Sequence, residues 1–146
     1  YYLVPFDNYV GKRLVRYGWG AAWGVSAAAR LSRRGCKRWR MERIHPGLEL
    51  TAPKGRLTER MVHYVDKDIS DMILRLDRYT TMRARDLRQS GDIGSFGHNV
   101  RRIFSRFYKC YFGRKGYREG QYGFLIALFA GLYPILSYLK AHLEDR

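Results

Sequence analysis

The feature that most constrains this chain is a run of 18 residues, Tyr122 to Leu139, without a single charged side chain. Eighteen residues is the lower limit for spanning a bilayer, and the run also holds Gly123, Gly131, Pro134 and three tyrosines. These interruptions favour a helix lying tilted in a membrane interface over a full span, with Arg118 and Lys140 at its ends placed to reach headgroups. Just upstream, Val100, Ile103, Phe104, Phe107, Tyr108, Tyr111 and Phe112 recur at helical spacing and form one apolar stripe. Arg101, Arg102, Arg106 and Lys109 sit between those positions. A basic amphipathic helix followed by an apolar one predicts a pair docked on an anionic membrane face. The competing expectation is that both helices pack into a soluble core.

The 146 residues suffice for one domain. The chain opens on Tyr1-Tyr2-Leu3-Val4, without Met or a signal peptide, which reads as a cut into a strand and so as a fragment or processed chain. Its formal net charge of +15 calls for a negatively charged partner: a phosphate-bearing ligand, nucleic acid or acidic lipid headgroups. Basic residues are spread through every segment and are not gathered in a tail. Cys36 and Cys110 have no metal-ligand spacing and read as reduced thiols of a cytoplasmic protein, with a single disulfide as the alternative.

Tyr1 to Val10 reads as a short strand ending in a turn, punctuated by Pro5, Asp7-Asn8 and Gly11. Met41 to His45 predicts another strand, and Leu57 to Val65 either a strand or a helix entry. Ile69, Met72, Ile73, Leu76, Thr80 and Leu87 then follow helical spacing, with Asp66 or Asp68 as the N-cap and Gly91 as the stop. Short strands and loops therefore come first, followed by three helices, and there is no internal repeat.

No Gly-x-Ser-x-Gly, phosphate-binding Gly-Lys-Ser/Thr loop or HExxH is present, which counts against most hydrolases and nucleotide switches. The candidate binding groups are the forks of Arg30, Arg33 and Arg34, suited to a diphosphate, together with His45 and His63. A solvated basic face is the alternative reading of the arginines. Asp66-Lys67-Asp68 spells the Asp-x-Asp of many metal-dependent nucleotide-sugar enzymes, but it stands directly before a helix, where capping explains it.

The order Tyr-Gly-Trp19, Arg30-Leu31-x-Arg33-Arg34, Trp39, Ile44-His45, Gly55-x-Leu57 and His63-Tyr64 resembles the C-terminal half of bacterial family 2 glycosyltransferases, lipopolysaccharide-core glucosyltransferases among them. Leu76-x-x-Tyr79-x-x-x-x-Ala84, followed by Gly91, is similar to their amphipathic helix. Phe107-x-x-x-Tyr111, Gly116-Tyr117, Gly120 and Gly123 resemble their membrane-associated tail. No single motif is specific, but their order covers nearly the whole chain.

The resemblance implies an α/β fold: the C-terminal part of a GT-A type domain over residues 1–65, an amphipathic helix and loop over 66–96, and membrane-associated helices over 97–146. It also implies transfer of a sugar from a nucleotide-diphosphate donor to a lipid-linked or lipopolysaccharide acceptor at the cytoplasmic face of the bacterial inner membrane. A divalent ion, Mg or Mn, is expected in the full enzyme, and no metal is expected on this segment alone. Arg30, Arg33, His45 and His63 would face the diphosphate or acceptor, and Trp19 and Trp39 would line the sugar or lipid pocket. Phe104, Phe107, Tyr111, Phe124 and Phe129 would meet the membrane.

The family's donor-binding half would precede Tyr1. Where the family has Val-His-Glu this chain has Ile44-His45-Pro46, and Ala27-Ala28-Ala29 lacks the Asp sometimes found there. The catalytic base is therefore unassigned, and the segment is expected to be inactive by itself. Two other classes compete: a non-catalytic membrane-surface module or split transferase half, and a basic nucleic-acid binder suggested by charge and 15% aromatic content. No zinc-finger, helix-turn-helix or RNP-like signature supports the last.

Overall fold

The structure, a computed structural model, describes residues 1–20, 23–39, 48–51 and 54–144, so the expected strand Met41–His45 lies outside the described residues. The fold is mixed α/β. Its strands are β1 (Tyr2–Val10), β2 (Arg13–Val15), β3 (Ala27–Leu31), β4 (Lys37–Trp39), β5 (Leu48–Leu50), β6 (Gly55–Arg56) and β7 (Met61–Asp66). Helices α1 (Ile69–Ser90), α2 (Phe96–Tyr108) and α3 (Gln121–Leu143) follow, with a π turn at Lys109–Gly113 and a 3₁₀ turn at Gly116–Glu119 between the last two. The stretch whose periodicity left strand and helix open, Leu57 to Val65, feeds the strand β7.

β1 is the spine of the main sheet. Its first half lies between antiparallel β3 (Val4 opposite Ala28) and parallel β6 (Tyr2 opposite Gly55). Its second half lies between antiparallel β2 (Asn8 opposite Val15) and parallel β7 (Asn8 opposite His63). Paired on at least one edge at every residue, β1 runs unbroken through Asp7 and Asn8, where a turn was expected. Ladder hydrogen bonds and burial outweigh the local turn preference of those residues. β4 and β5 form a separate antiparallel pair.

α1 begins where the expected cap stands: the Asp68 carboxylate accepts from the Asp71 N–H, and Gly91 closes the helix at φ 72°. α3 is apolar on all sides, which fits a helix with no solvent face. Among the described residues it is the one helix long and apolar enough to cross a membrane, yet 61% of its apolar window is buried inside the protein. Ile126, Ala127, Phe129, Ala130 and Tyr133 join Met72 and Leu76 of α1, Cys110, and Val10, Val15, Trp19 and Trp23 in one core. That core draws on all three of the expected segments. Two glycines let α3 approach so closely: a Cβ on Gly131 would stand 2.8 Å from the Ile103 carbonyl oxygen, and one on Gly123 only 1.7 Å from that of Gly116.

This packing engages most of α3 with the rest of the protein. Lys140 donates to the Asp77 carboxylate at 2.6 Å and to the Thr81 hydroxyl at 2.8 Å, and the Arg118 guanidinium stacks 4.4 Å over Tyr17. Both presumed headgroup anchors are thus engaged within the protein.

Candidate functional site

The exposed rim of the main sheet carries two of the residues expected to bind substrate. Arg30 on β3 and His63 on β7 belong to different strands, and Phe6 of β1 joins them. The Arg30 guanidinium lies 5.6 Å over the Phe6 ring, and the His63 ring lies 5.2 Å from it, tilted by 44°. Alternation along β1 produces this, because Val4, Phe6, Asn8 and Val10 share one face and are all buried. Arg30 and His63 themselves remain exposed.

Asn8 orients the histidine. It is only 2% exposed, and its side-chain N–H donates to the Val25 carbonyl at 3.0 Å. Its amide oxygen is thereby aimed at His63 Nδ1, 2.8 Å away, so Nδ1 carries the proton and donates. Nε2 is the nitrogen left for a ligand. A neutral His63 offers it as a proton acceptor toward a hydroxyl, and a protonated one donates to a phosphate oxygen. Against the same Phe6 ring, the Arg30 fork supplies fixed positive charge. Asn8 was invisible in the sequence because Asp7-Asn8 reads as a turn; only its position in a doubly paired strand makes it a buried orienting group.

The other expected residues are dispersed. Arg33, in the turn after β3, lines an open cleft of about 690 Å³ with Tyr2, Cys36 and Lys54. Trp39 is 55% exposed on β4, with the Lys37 ammonium 4.7 Å over its ring. Lys37 also donates to the Ala29 carbonyl at 3.0 Å, which tethers Trp39 to β3. Trp19 is a core residue: it is 4% exposed and its indole N–H donates to the Val15 carbonyl at 2.7 Å, so it lines no exposed pocket wall. His45 lies outside the described residues.

The carboxylates nearby are engaged. Asp7, on the opposite face of β1, accepts from Arg60 Nε at 2.5 Å and lies 3.5 Å from Arg16 Nε. The hydrogen bond from Arg60 is the main reason its carboxyl is held below the ordinary value. Asp66 and Asp68 do not converge on a cation: Asp66 is forked by Arg75, and Asp68 caps α1. Among the described residues, no three His, Cys, Asp or Glu side chains gather as a metal site, and this Asp-x-Asp does not fit one.

Of the residues expected to meet a membrane, Phe104 and Phe124 are 70% and 48% exposed. Phe107 and Tyr111 are half-buried, stacked on each other at 5.4 Å and edge-on to Phe124. Phe129 is corrected to the interior, 7% exposed with Trp23 edge-on to it at 5.3 Å. The apolar stripe of α2 and the π turn is therefore split: Ile103, Phe107 and Tyr111 turn inward, while Phe104, Tyr108 and Phe112 stay outside. Comparison of the chain with protein families, curated proteins and solved structures finds no match in any of the three.

Proposed function

We propose that this chain is the acceptor-side and membrane-docking part of a family 2 glycosyltransferase of GT-A type. It acts together with a donor-binding half that these residues do not supply. The complete enzyme transfers a sugar from a nucleotide-diphosphate donor to a lipid-linked or lipopolysaccharide acceptor at the cytoplasmic membrane face. The observation that carries this reading is the meeting of Arg30 and His63 on the Phe6 ring, beside an order of motifs that resembles that family's. An arginine fork stabilises the departing diphosphate, and an Nε2 of defined tautomer meets the acceptor hydroxyl or a phosphate oxygen. The exposed aromatic row of α2 supplies contact with the lipid phase.

The test is release of nucleoside diphosphate from a panel of nucleotide sugars, by the full enzyme with an envelope lipid extract as acceptor. Arg30→Ala is expected to lower turnover about tenfold or more, the value of a charge-assisted hydrogen bond of roughly 1.5–3 kcal/mol, with an unchanged melting midpoint. Unchanged turnover in that variant would remove Arg30 from the site, and no donor turnover at all would remove the reading.

A second reading, a non-catalytic membrane-surface module or one half of a split transferase, is favoured by the engaged state of Asp7 and Asp66. Each is clamped by arginine and so poorly placed to act as a base. The same assay separates the two, because a module without chemistry binds vesicles and releases no nucleotide.

A further inference from the structure

Arg102 and Arg106, one turn apart on α2, are half-buried, on a helix packed against α3. Arg102 lines a crevice of about 220 Å³ together with Arg83 of α1, Asn99 of α2, and Tyr133 and Ser137 of α3. Among the described residues, no carboxylate lies within ion-pair distance of Arg83, Arg102 or Arg106. Arg102 has one long hydrogen bond, 3.4 Å to the Asn99 side-chain oxygen, and Arg106 Nη1 is buried without any partner.

The other titratable groups nearby do not neutralise the arginines. Asp92 and His98 border the crevice, and Asp86 is close enough to be felt by Tyr133, but none of them pairs with an arginine. Burial first, and then the charge of Arg83, push the Arg102 guanidinium down from its ordinary value. Burial and then Arg102 do the same to Arg106. Residues 93–118 contain seven Lys and Arg and no Asp or Glu, so the α2 side of the crevice carries positive charge only.

Like charges drawn together out of water without a counter-ion are unfavourable, unless an anion joins them. The crevice is smaller than the roughly 300 Å³ of a drug-sized site and suits a compact anion. Guanidinium forks bind phosphate oxygens bidentately, and Asn99 and Ser137 add polar groups at the wall.

We propose that the crevice between Arg83, Arg102 and Ser137, with Arg106 beside it, is a binding site for a phosphate ester. The ester is carried either by a lipid headgroup or by a soluble phosphorylated molecule. This site shares no residue with the Arg30–His63 face, so it stands or falls independently of the transferase reading.

The experiment has two arms on the purified chain. In the first, thermal unfolding is followed at constant ionic strength with inorganic phosphate replacing chloride. In the second, co-sedimentation is measured with vesicles of phosphatidylglycerol in phosphatidylcholine. Arg102→Gln and Arg106→Met are compared with Arg85→Gln, an exposed charge on α1. Arg106→Met is expected to melt no lower than the wild type without ligand, since it removes a buried, unpartnered charge.

Phosphate is expected to raise the melting midpoint of the wild type and of Arg85→Gln, and to leave Arg102→Gln and Arg106→Met unmoved. That result supports the site with a free phosphate as sufficient ligand. Binding to vesicles alone, weakened about tenfold in Arg102→Gln and Arg106→Met but not in Arg85→Gln, supports it with a lipid phosphate. If neither probe separates these variants from the wild type, or if Arg85→Gln loses as much as they do, the proposal is overturned in favour of unspecific charge attraction.

Discussion

The guanidinium of Arg75 grips the carboxylate of Asp66 with two parallel hydrogen bonds, Nε to one oxygen and Nη2 to the other, each 2.7 Å long. Their side chains are 10% and 1% exposed. The same guanidinium lies 4.1 Å over the Trp23 ring and donates through Nη1 to the Trp23 carbonyl at 3.2 Å. One arginine thus fastens the end of β7, the start of α1 and the loop holding Trp23. Asp66→Asn leaves a buried cation facing a neutral amide and is expected to cost about 3–5 kcal/mol in urea denaturation. The double replacement Asp66→Leu with Arg75→Met is expected to cost far less, because neither charge is left alone. Equal losses in the two proteins would show that the pair is not coupled.

Two helical glycines should respond in opposite directions to alanine. Gly123 has the Gly116 carbonyl oxygen 1.7 Å from where its Cβ would be, so Gly123→Ala must push the 3₁₀ turn off α3. The expected loss is about 1–3 kcal/mol, the range seen for overpacked cores. Gly97 has nothing within 4 Å, and Gly97→Ala is expected to gain up to about 1 kcal/mol from helix propensity. Melting midpoints of the two single variants decide the matter.

Asp7 gives the stability a defined acid limb. Arg60's hydrogen bond, followed by the charges of Arg60 and Arg16, lowers its carboxyl below the ordinary value against the opposing effect of burial. A lowered folded value means that the stabilisation is complete above the unfolded carboxylate range, near about 4, and is lost as pH falls through the folded value. Asp7→Asn is expected to flatten the stability profile below about pH 4 and to lower the plateau above it only modestly, because Arg60 is partly solvated. A profile identical to the wild type would show the pair to be energetically silent.

The two cysteines are free, Cys36 half-buried and Cys110 fully buried. Burial pushes the Cys110 thiol up, with the charge of Arg114 opposing it. A thiol reagent is expected to label Cys36 alone in the native protein and both cysteines after denaturation, measured by intact mass. Rapid double labelling without denaturant would indicate that α3 does not hold its packed position.

The legible parts of this protein are those set within a turn or a few residues. Asp68 and Gly91 delimit α1 because capping depends on the adjacent backbone alone. The recurrence of Val100, Ile103 and Phe107 marks α2 for the same reason. Asn8 shows the limit, since its turn preference is real and is overruled by strands on both sides.

What the sequence by itself determined is the succession of short strands and three helices, the uncharged run Tyr122–Leu139 within α3, and the net positive charge. Only the tertiary structure decided what each surface meets. It packed α3 into the core and buried Phe129, divided the α2 stripe between Phe107 inside and Phe104 outside, and brought Arg30 and His63 against the same Phe6 ring. An apolar helix has the same composition whether lipid or protein surrounds it. The choice lies in long-range packing, here the close approach allowed by Gly123 and Gly131, which no local periodicity encodes.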